Sequence, residues 1–164
     1  MARSGEPLHG PMVWSMSATA GGGKKYSTFM TGYVQFGAAG ANPGDVMVFT
    51  GTSSRRVEKV TKGDSVVGGN AFSQDPSFKV YGIAMHTQTA YSFGYVVRAG
   101  ITNVSKDTSA PIAEKRPLKL SGVAGAAIEA VTADYLTGKI FAFSMESAST
   151  TSAKVKSLVL PWRL

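Results

Sequence analysis

The 164-residue chain contains no cysteine, which excludes disulfides, thiolate zinc sites and cysteine nucleophiles. Histidine is almost as scarce, with only His9 and His86, and the 10 carboxylates are scattered singly along the chain. A general acid–base pair or a carboxylate metal cage therefore has few residues to draw on. No HExxH, GxSxG or EF-hand pattern occurs, and no GxGxxG follows a strand-like run. His86 falls in the apolar run Tyr81-Gly82-Ile83-Ala84-Met85 and reads as a hydrogen-bonded strand histidine. The expectation is a chain without catalytic, metal or cofactor site. Charge is also sparse: charged residues make up 16% against about 25% in ordinary domains, so much of the surface must be neutral and polar.

Long apolar runs are missing too. The charge-free stretch from Val80 to Val97 is interrupted by Gly82, His86, Gln88, Thr89 and Ser92 and falls short of the about 20 apolar residues that span a bilayer. Met1 to Gly10 carries Arg3, Glu6 and a proline where a signal peptide needs an unbroken apolar stretch. The reading is a soluble protein with no membrane partner.

What the chain does have is β-branched residues. Val and Ile outnumber Leu by 21 to 7, and such side chains suit a pleated surface better than a helix. Period-two runs point the same way. Leu118 and Leu120 alternate with Lys119 and Ser121; Phe93, Tyr95, Val97 and Ala99 alternate with Gly94, Val96 and Arg98; Phe141, Phe143 and Met145 share one face opposite Ile140, Ala142 and Ser144. Turn chemistry separates these runs at Asn42-Pro43-Gly44-Asp45, Lys62-Gly63-Asp64 and Thr137-Gly138-Lys139. The alanine-rich segment from Gly122 to Leu136 has helical propensity, but its glycines and Thr132 favour an extended reading. The fold class is all-β, a small sandwich or barrel.

Residues 1–42 differ in composition: early prolines, an apolar patch at Pro11-Met12-Val13-Trp14, then Gly21-Gly22-Gly23 and a glycine-alanine stretch from Gly37 to Ala41. They read as an extended N-terminal arm, with a compact β-domain at 43–164. The run Gly21-Gly22-Gly23-Lys24-Lys25 lacks the first glycine and the Ser or Thr of a P-loop and reads as a basic turn.

The net charge of +7 raises nucleic acid as a partner. The cations are dispersed, however, and only Arg55 to Lys62 resembles a patch. Phe93 and Tyr95 could stack bases on a sheet in the manner of an OB-fold, but their alternation fits a core-facing strand, and core is the expectation. A diffuse positive field also suits docking onto a large acidic protein surface.

From Gly44 onward the order of motifs resembles the tailed-bacteriophage capsid decoration, or cement, proteins related to the lambda-type head-stabilising protein. The matching runs are Gly44-Asp45-Val46, Gly63-Asp64-Ser65-Val66-Val67-Gly68, Val80-Tyr81-Gly82-Ile83-Ala84, Val96-Val97-Arg98-Ala99-Gly100-Ile101, Leu136-Thr137-Gly138-Lys139-Ile140 and Val155 to Pro161. The chain departs from the family pattern in carrying Phe141-Ala142-Phe143 after its last glycine turn, and in a longer arm. The resemblance implies a β-tulip-like domain, a homotrimer, bound to the outer surface of an expanded icosahedral capsid, where it clamps neighbouring major capsid proteins. It also implies location in the virion and no specific nucleic-acid partner. The arm would reach across a capsomer boundary, giving Arg3, Pro11, Met12, Val13, Trp14, Lys24 and Lys25 as candidate capsid contacts. Trp14 could equally cover its own domain, and Trp162 poses the same choice between trimer contact and core edge. The alternative function is a basic β-sheet module for single-stranded nucleic acid.

Overall fold

The computed structural model describes residues 12–18, 24–49, 56–61 and 80–160; for 12–18 and 24–29 it describes the path of the strands and not their side chains. Ten strands are described: β1 (Met12–Ala18), β2 (Lys24–Phe36), β3 (Val46–Phe49), β4 (Arg56–Glu58), β5 (Val80–Ala84), β6 (Phe93–Ser105), β7 (Pro117–Leu120), β8 (Ala127–Glu129), β9 (Ala142–Ser144) and β10 (Lys154–Val159). The chain is all-β, as its β-branched composition dictates, and five strands close into a barrel in the order β2-β4-β3-β5-β6, with β6 returning to β2. Closure removes the free edges that would otherwise invite pairing with another chain.

Strand β6 is 13 residues long and serves two sheets. Its first half pairs with β2 and β5 in the barrel, while Gly100 to Ser105 pair with β10. From there a second sheet runs β6-β10-β9-β7-β8. A parallel bridge from Lys106 to Ala127, with the Asp107 N–H donating to the Ala127 carbonyl at 2.9 Å, brings β8 back beside the end of β6. The second sheet thus curls nearly onto itself.

Two cores follow. The barrel interior is filled by Val34, Phe36, Ala41, Met47, Val57, Ala84 and Val96. A larger core lies between the barrel wall and the second sheet and includes Val46, Val48, Ile83, Val97, Leu118, Leu120, Ala142, Val155 and Val159. Because side chains alternate along a strand, Met47 enters one core while its neighbours Val46 and Val48 enter the other. That is why β3 reads as an unbroken apolar run.

The expected turns lie where their chemistry puts them. Asp45 N–H donates to the Asn42 carbonyl at 3.0 Å, and Gly44 takes a positive φ of 97°. The Asp45 carboxylate accepts the Asn42 N–H at 2.8 Å and the Ser105 hydroxyl at 3.2 Å and pairs with Lys59 at 3.4 Å, tying the turn to β6 and to the segment after β4. The turn at Lys62-Gly63-Asp64 lies outside the described residues. Within Gly122 to Leu136 the extended reading holds at β8, and a single 3₁₀ turn follows at Thr132–Asp134.

Composition sets residues 1–42 apart, yet Val34, Phe36 and Ala41 are buried in the barrel core. The stretch from Gly37 to Ala41 is a turn after β2 that ends in a bridge from Ala41 to Gln88, and its glycines serve close approach: a Cβ on Gly40, where φ is +59°, would collide with the Gln88 carbonyl. Upstream, β1 pairs antiparallel with the first part of β2, from Met12 opposite Met30 to Ala18 opposite Lys24.

Candidate interaction surfaces

Residues directly opposed in neighbouring strands share a sheet face, and this fixes the outer face of the second sheet. Leu158 lies between Ile101 and Phe143, and Phe143 in turn opposes Pro117. Ile101, Leu158, Phe143 and Met145 are each 38–45% exposed. One residue along, on the inward face, Val159, Ala142 and Leu118 are at most 3% exposed. A row of large apolar side chains therefore crosses three strands in solvent, over about 10 Å at the usual strand spacing. By the same alternation Lys154 and Lys156 stand on the Leu158 side and give the row a cationic border. The Lys156 N–H donates to the Glu146 carboxylate at 3.0 Å.

At the other end of this face, Lys119 lies two residues from Pro117 and donates its ammonium to Asp134. Asp134 organises the loop that follows β8. Its carboxylate accepts the Val131 N–H at 3.0 Å, and its carbonyl accepts the Thr137 hydroxyl at 2.8 Å. The Lys119 hydrogen bond holds the Asp134 carboxyl below the ordinary carboxylate range, against the opposing effect of burial. Asp107 is lowered as well, chiefly by the Ser109 backbone N–H that it accepts. Fastened in this way, the loop presents Val131, Tyr135 and Leu136 outward, with Leu136 98% exposed. Exposed apolar side chains in a row or on a loop of this kind mark a protein contact.

A second surface lies on the barrel. Tyr33 opposes Tyr95, and Gln35 opposes Phe93 and, on its other side, Arg56. The Tyr33 and Phe93 rings stack 5.9 Å apart at 18°, and Tyr33 meets Tyr95 at 5.0 Å. Phe93 is 58% exposed, which corrects the expectation that it faces the core. Gly94 and Val96 are buried toward the barrel interior, and of the Phe93, Tyr95, Val97 and Ala99 set only Val97 is buried, in the larger core; a Cβ added to Gly94 would meet the Gln88 side chain.

Of the residues singled out as capsid contacts, Arg3 and Pro11 lie outside the described residues. Met12, Val13 and Trp14 are in β1 and Lys24 and Lys25 in β2, so the two lysines belong to a strand and not to a helix N-terminus. Trp162 lies outside the described residues. His86 is exposed on a bend beyond the end of β5, and so is not a strand histidine. Lys59 of the supposed basic patch is taken up by Asp45, and Arg56 stands 5.4 Å from the Tyr91 ring centroid. Among the described residues no three His, Cys, Asp or Glu side chains converge as a metal site would need, and no helix is long and apolar enough to cross a membrane. Two clefts, of about 260 and 630 Å³, each carry one ionisable side chain, Lys154 and Glu129.

Neither known protein families nor characterised proteins match this sequence. Among solved structures, the chain is similar to one titled "The crystal structure of head fiber gp8.5 N base in bacteriophage phi29". The two share 11% sequence identity, the match covers 83% of this chain and 98% of that one, and the TM-score is 0.49. At that distance no ligand, partner or site residue is carried from one protein to the other.

Proposed function

We propose that this chain is a non-catalytic structural protein of a phage virion: a decoration protein that binds the outer surface of an expanded icosahedral capsid as a trimer and braces neighbouring major capsid proteins. The observation that carries this reading is the apolar outer face of the second sheet, bordered by Lys154 and Lys156. It is a surface shaped for a broad, apolar and acidic partner, and the order of sequence motifs from Gly44 onward supports the same role.

The physics of such a role is linkage. Contacts that exist only on the assembled shell stabilise that state, and many copies multiply modest affinities. Exposed aromatic and aliphatic anchors are each worth about 2 kcal/mol or more when they become hot spots, while lysines at the rim speed encounter with an acidic surface. Strand β1, ahead of the barrel strands, offers a second, reaching contact through Met12 to Trp14.

Addition of the protein to expanded empty capsids of its parent phage tests the reading. Stoichiometric uptake with a raised capsid melting temperature is expected; absence of uptake, or uptake with no gain in heat resistance, overturns it.

A further inference from the structure

The aromatic strip on the barrel lies apart from the apolar face just described, and the capsid-binding role does not use it. Tyr33, Phe93 and Tyr95 stand on the outward side of β2 and β6, with two rings nearly parallel and one tilted against them. The platform has a polar rim made by neighbouring strands. Gln35 lies in the row of Phe93 and Arg56 and donates through Nε2 to the Tyr91 carbonyl at 3.1 Å, which holds its amide in place. The Arg56 guanidinium sits over the ring of Tyr91, itself 53% exposed. On β4, Val57 points into the barrel, so Arg56 and Glu58 both face out, and the Glu58 side chain lies against Gly37.

Phe93 is exposed and Tyr33 and Tyr95 are half-buried beside it; such rings take a ligand with an apolar face, which both a nucleobase and a pyranose possess. The rim separates them. A single strand of nucleic acid needs cations along its phosphates, and a carboxylate beside the platform repels them. Among the described residues of β4, Arg56 is accompanied by Glu58, and the amide of Gln35 together with the Tyr33 and Tyr95 hydroxyls supplies both donors and acceptors. Hydroxyl groups, which donate and accept at once, match that rim.

We infer that the strip of Tyr33, Phe93 and Tyr95, rimmed by Gln35, Arg56 and Glu58, is a binding site for a neutral saccharide, whose ring stacks on Phe93 and Tyr33 while its hydroxyls meet the amide, guanidinium and carboxylate. The site is shallow, so binding is weak for one sugar and gains from many copies on one particle.

The test is a titration of the full-length, ¹⁵N-labelled protein with four neutral oligosaccharides, of the malto, cello, chito and laminari series, and with oligothymidylate. At least one saccharide is expected to give saturable shifts confined to β2, β4, β6 and the Tyr91 segment. Affinity should fall about tenfold or more in Phe93→Ala and in Tyr33→Ala, and should be unchanged in Leu158→Ala, which lies on the other surface. Glu58→Gln keeps the shape and is expected to weaken the saccharide while leaving the fold intact. The inference is overturned if none of the four saccharides shifts these residues, if Phe93→Ala binds as the wild type does, or if oligothymidylate alone binds with an affinity that falls steeply as salt rises. The capsid-uptake experiment reads the other surface, so either result can fail without the other.

Discussion

In the barrel, β3 buries Val46, Met47 and Val48 in succession, because one face lines the barrel interior and the other meets the second sheet. In the second sheet, β10 buries Val155, Ser157 and Val159 and turns Lys154, Lys156 and Leu158 outward. The barrel strand is apolar throughout for the sake of the fold. In β9 and β10 the fold needs only one face, yet the other carries Phe143, Met145 and Leu158 as well. Apolar residues that the core does not require are the ones available for a partner, and the two regions differ chiefly in this surplus.

The sharpest way to separate the two kinds of apolar residue is to truncate one of each within the same sheet. Leu118→Ala removes a fully buried side chain and is expected to cost about 2–5 kcal/mol, read as a lower denaturant midpoint. Leu158→Ala, two strands away on the outer face, should change stability by less than about 1 kcal/mol while lowering capsid uptake. Equal losses of stability would mean that the outer row is structural and the distinction false.

The loop that follows β8 depends on a charge, and this gives a pH signature. Asp134 titrates below the ordinary carboxylate range because Lys119 stabilises its ionised form. A depressed folded-state pKa contributes stability above the unfolded value of about 4, and that contribution is lost as pH falls through the folded value. Asp134→Asn is therefore expected to cost roughly 1.5–3 kcal/mol near neutrality. The gap to wild type should close on acidification below about pH 4. A gap independent of pH would show that the charge plays no part.

On the barrel side, Gly40→Ala places a side chain at φ +59° and against the Gln88 carbonyl, with an expected cost of about 1–3 kcal/mol in thermal unfolding. A neutral outcome would show that the close approach of Gly40 to Gln88 does not hold this turn. The smallest effect is expected from Phe93→Ala, within about 0.5 kcal/mol, since this ring stands in solvent.

Much of the fold was legible in the sequence. Val and Ile enrichment gave the all-β class, and Asn42-Pro43-Gly44-Asp45 and Thr137-Gly138-Lys139 marked real turns. Barrel closure was not legible, because the pairing of β2 with β6 joins residues some 60 positions apart and period-two patterns carry no information about partners. The burial of Val34, Phe36 and Ala41 in the barrel core was not legible either, because Gly37 to Ala41 looks like linker in composition whereas glycine there serves close packing. The outward position of Phe93 is not legible for a related reason: period two says that alternate residues share a face and is silent on which face is inward, and along β6 Phe93 is exposed while Val97 is buried. The outer apolar row left one trace, the pattern Lys154-Val155-Lys156-Ser157-Leu158-Val159. There a leucine occupies the position that two lysines establish as outward, and the Phe141-Ala142-Phe143 departure from the family pattern supplies the neighbouring strand.

The central claim is that the outer face of the second sheet is the docking surface. The most direct measurement is capsid uptake by the double variant Phe143→Ser, Leu158→Lys, alongside a denaturation curve that verifies its fold. Loss of uptake by a variant that unfolds at the wild-type midpoint is the predicted result. Full uptake by that folded variant would contradict the claim.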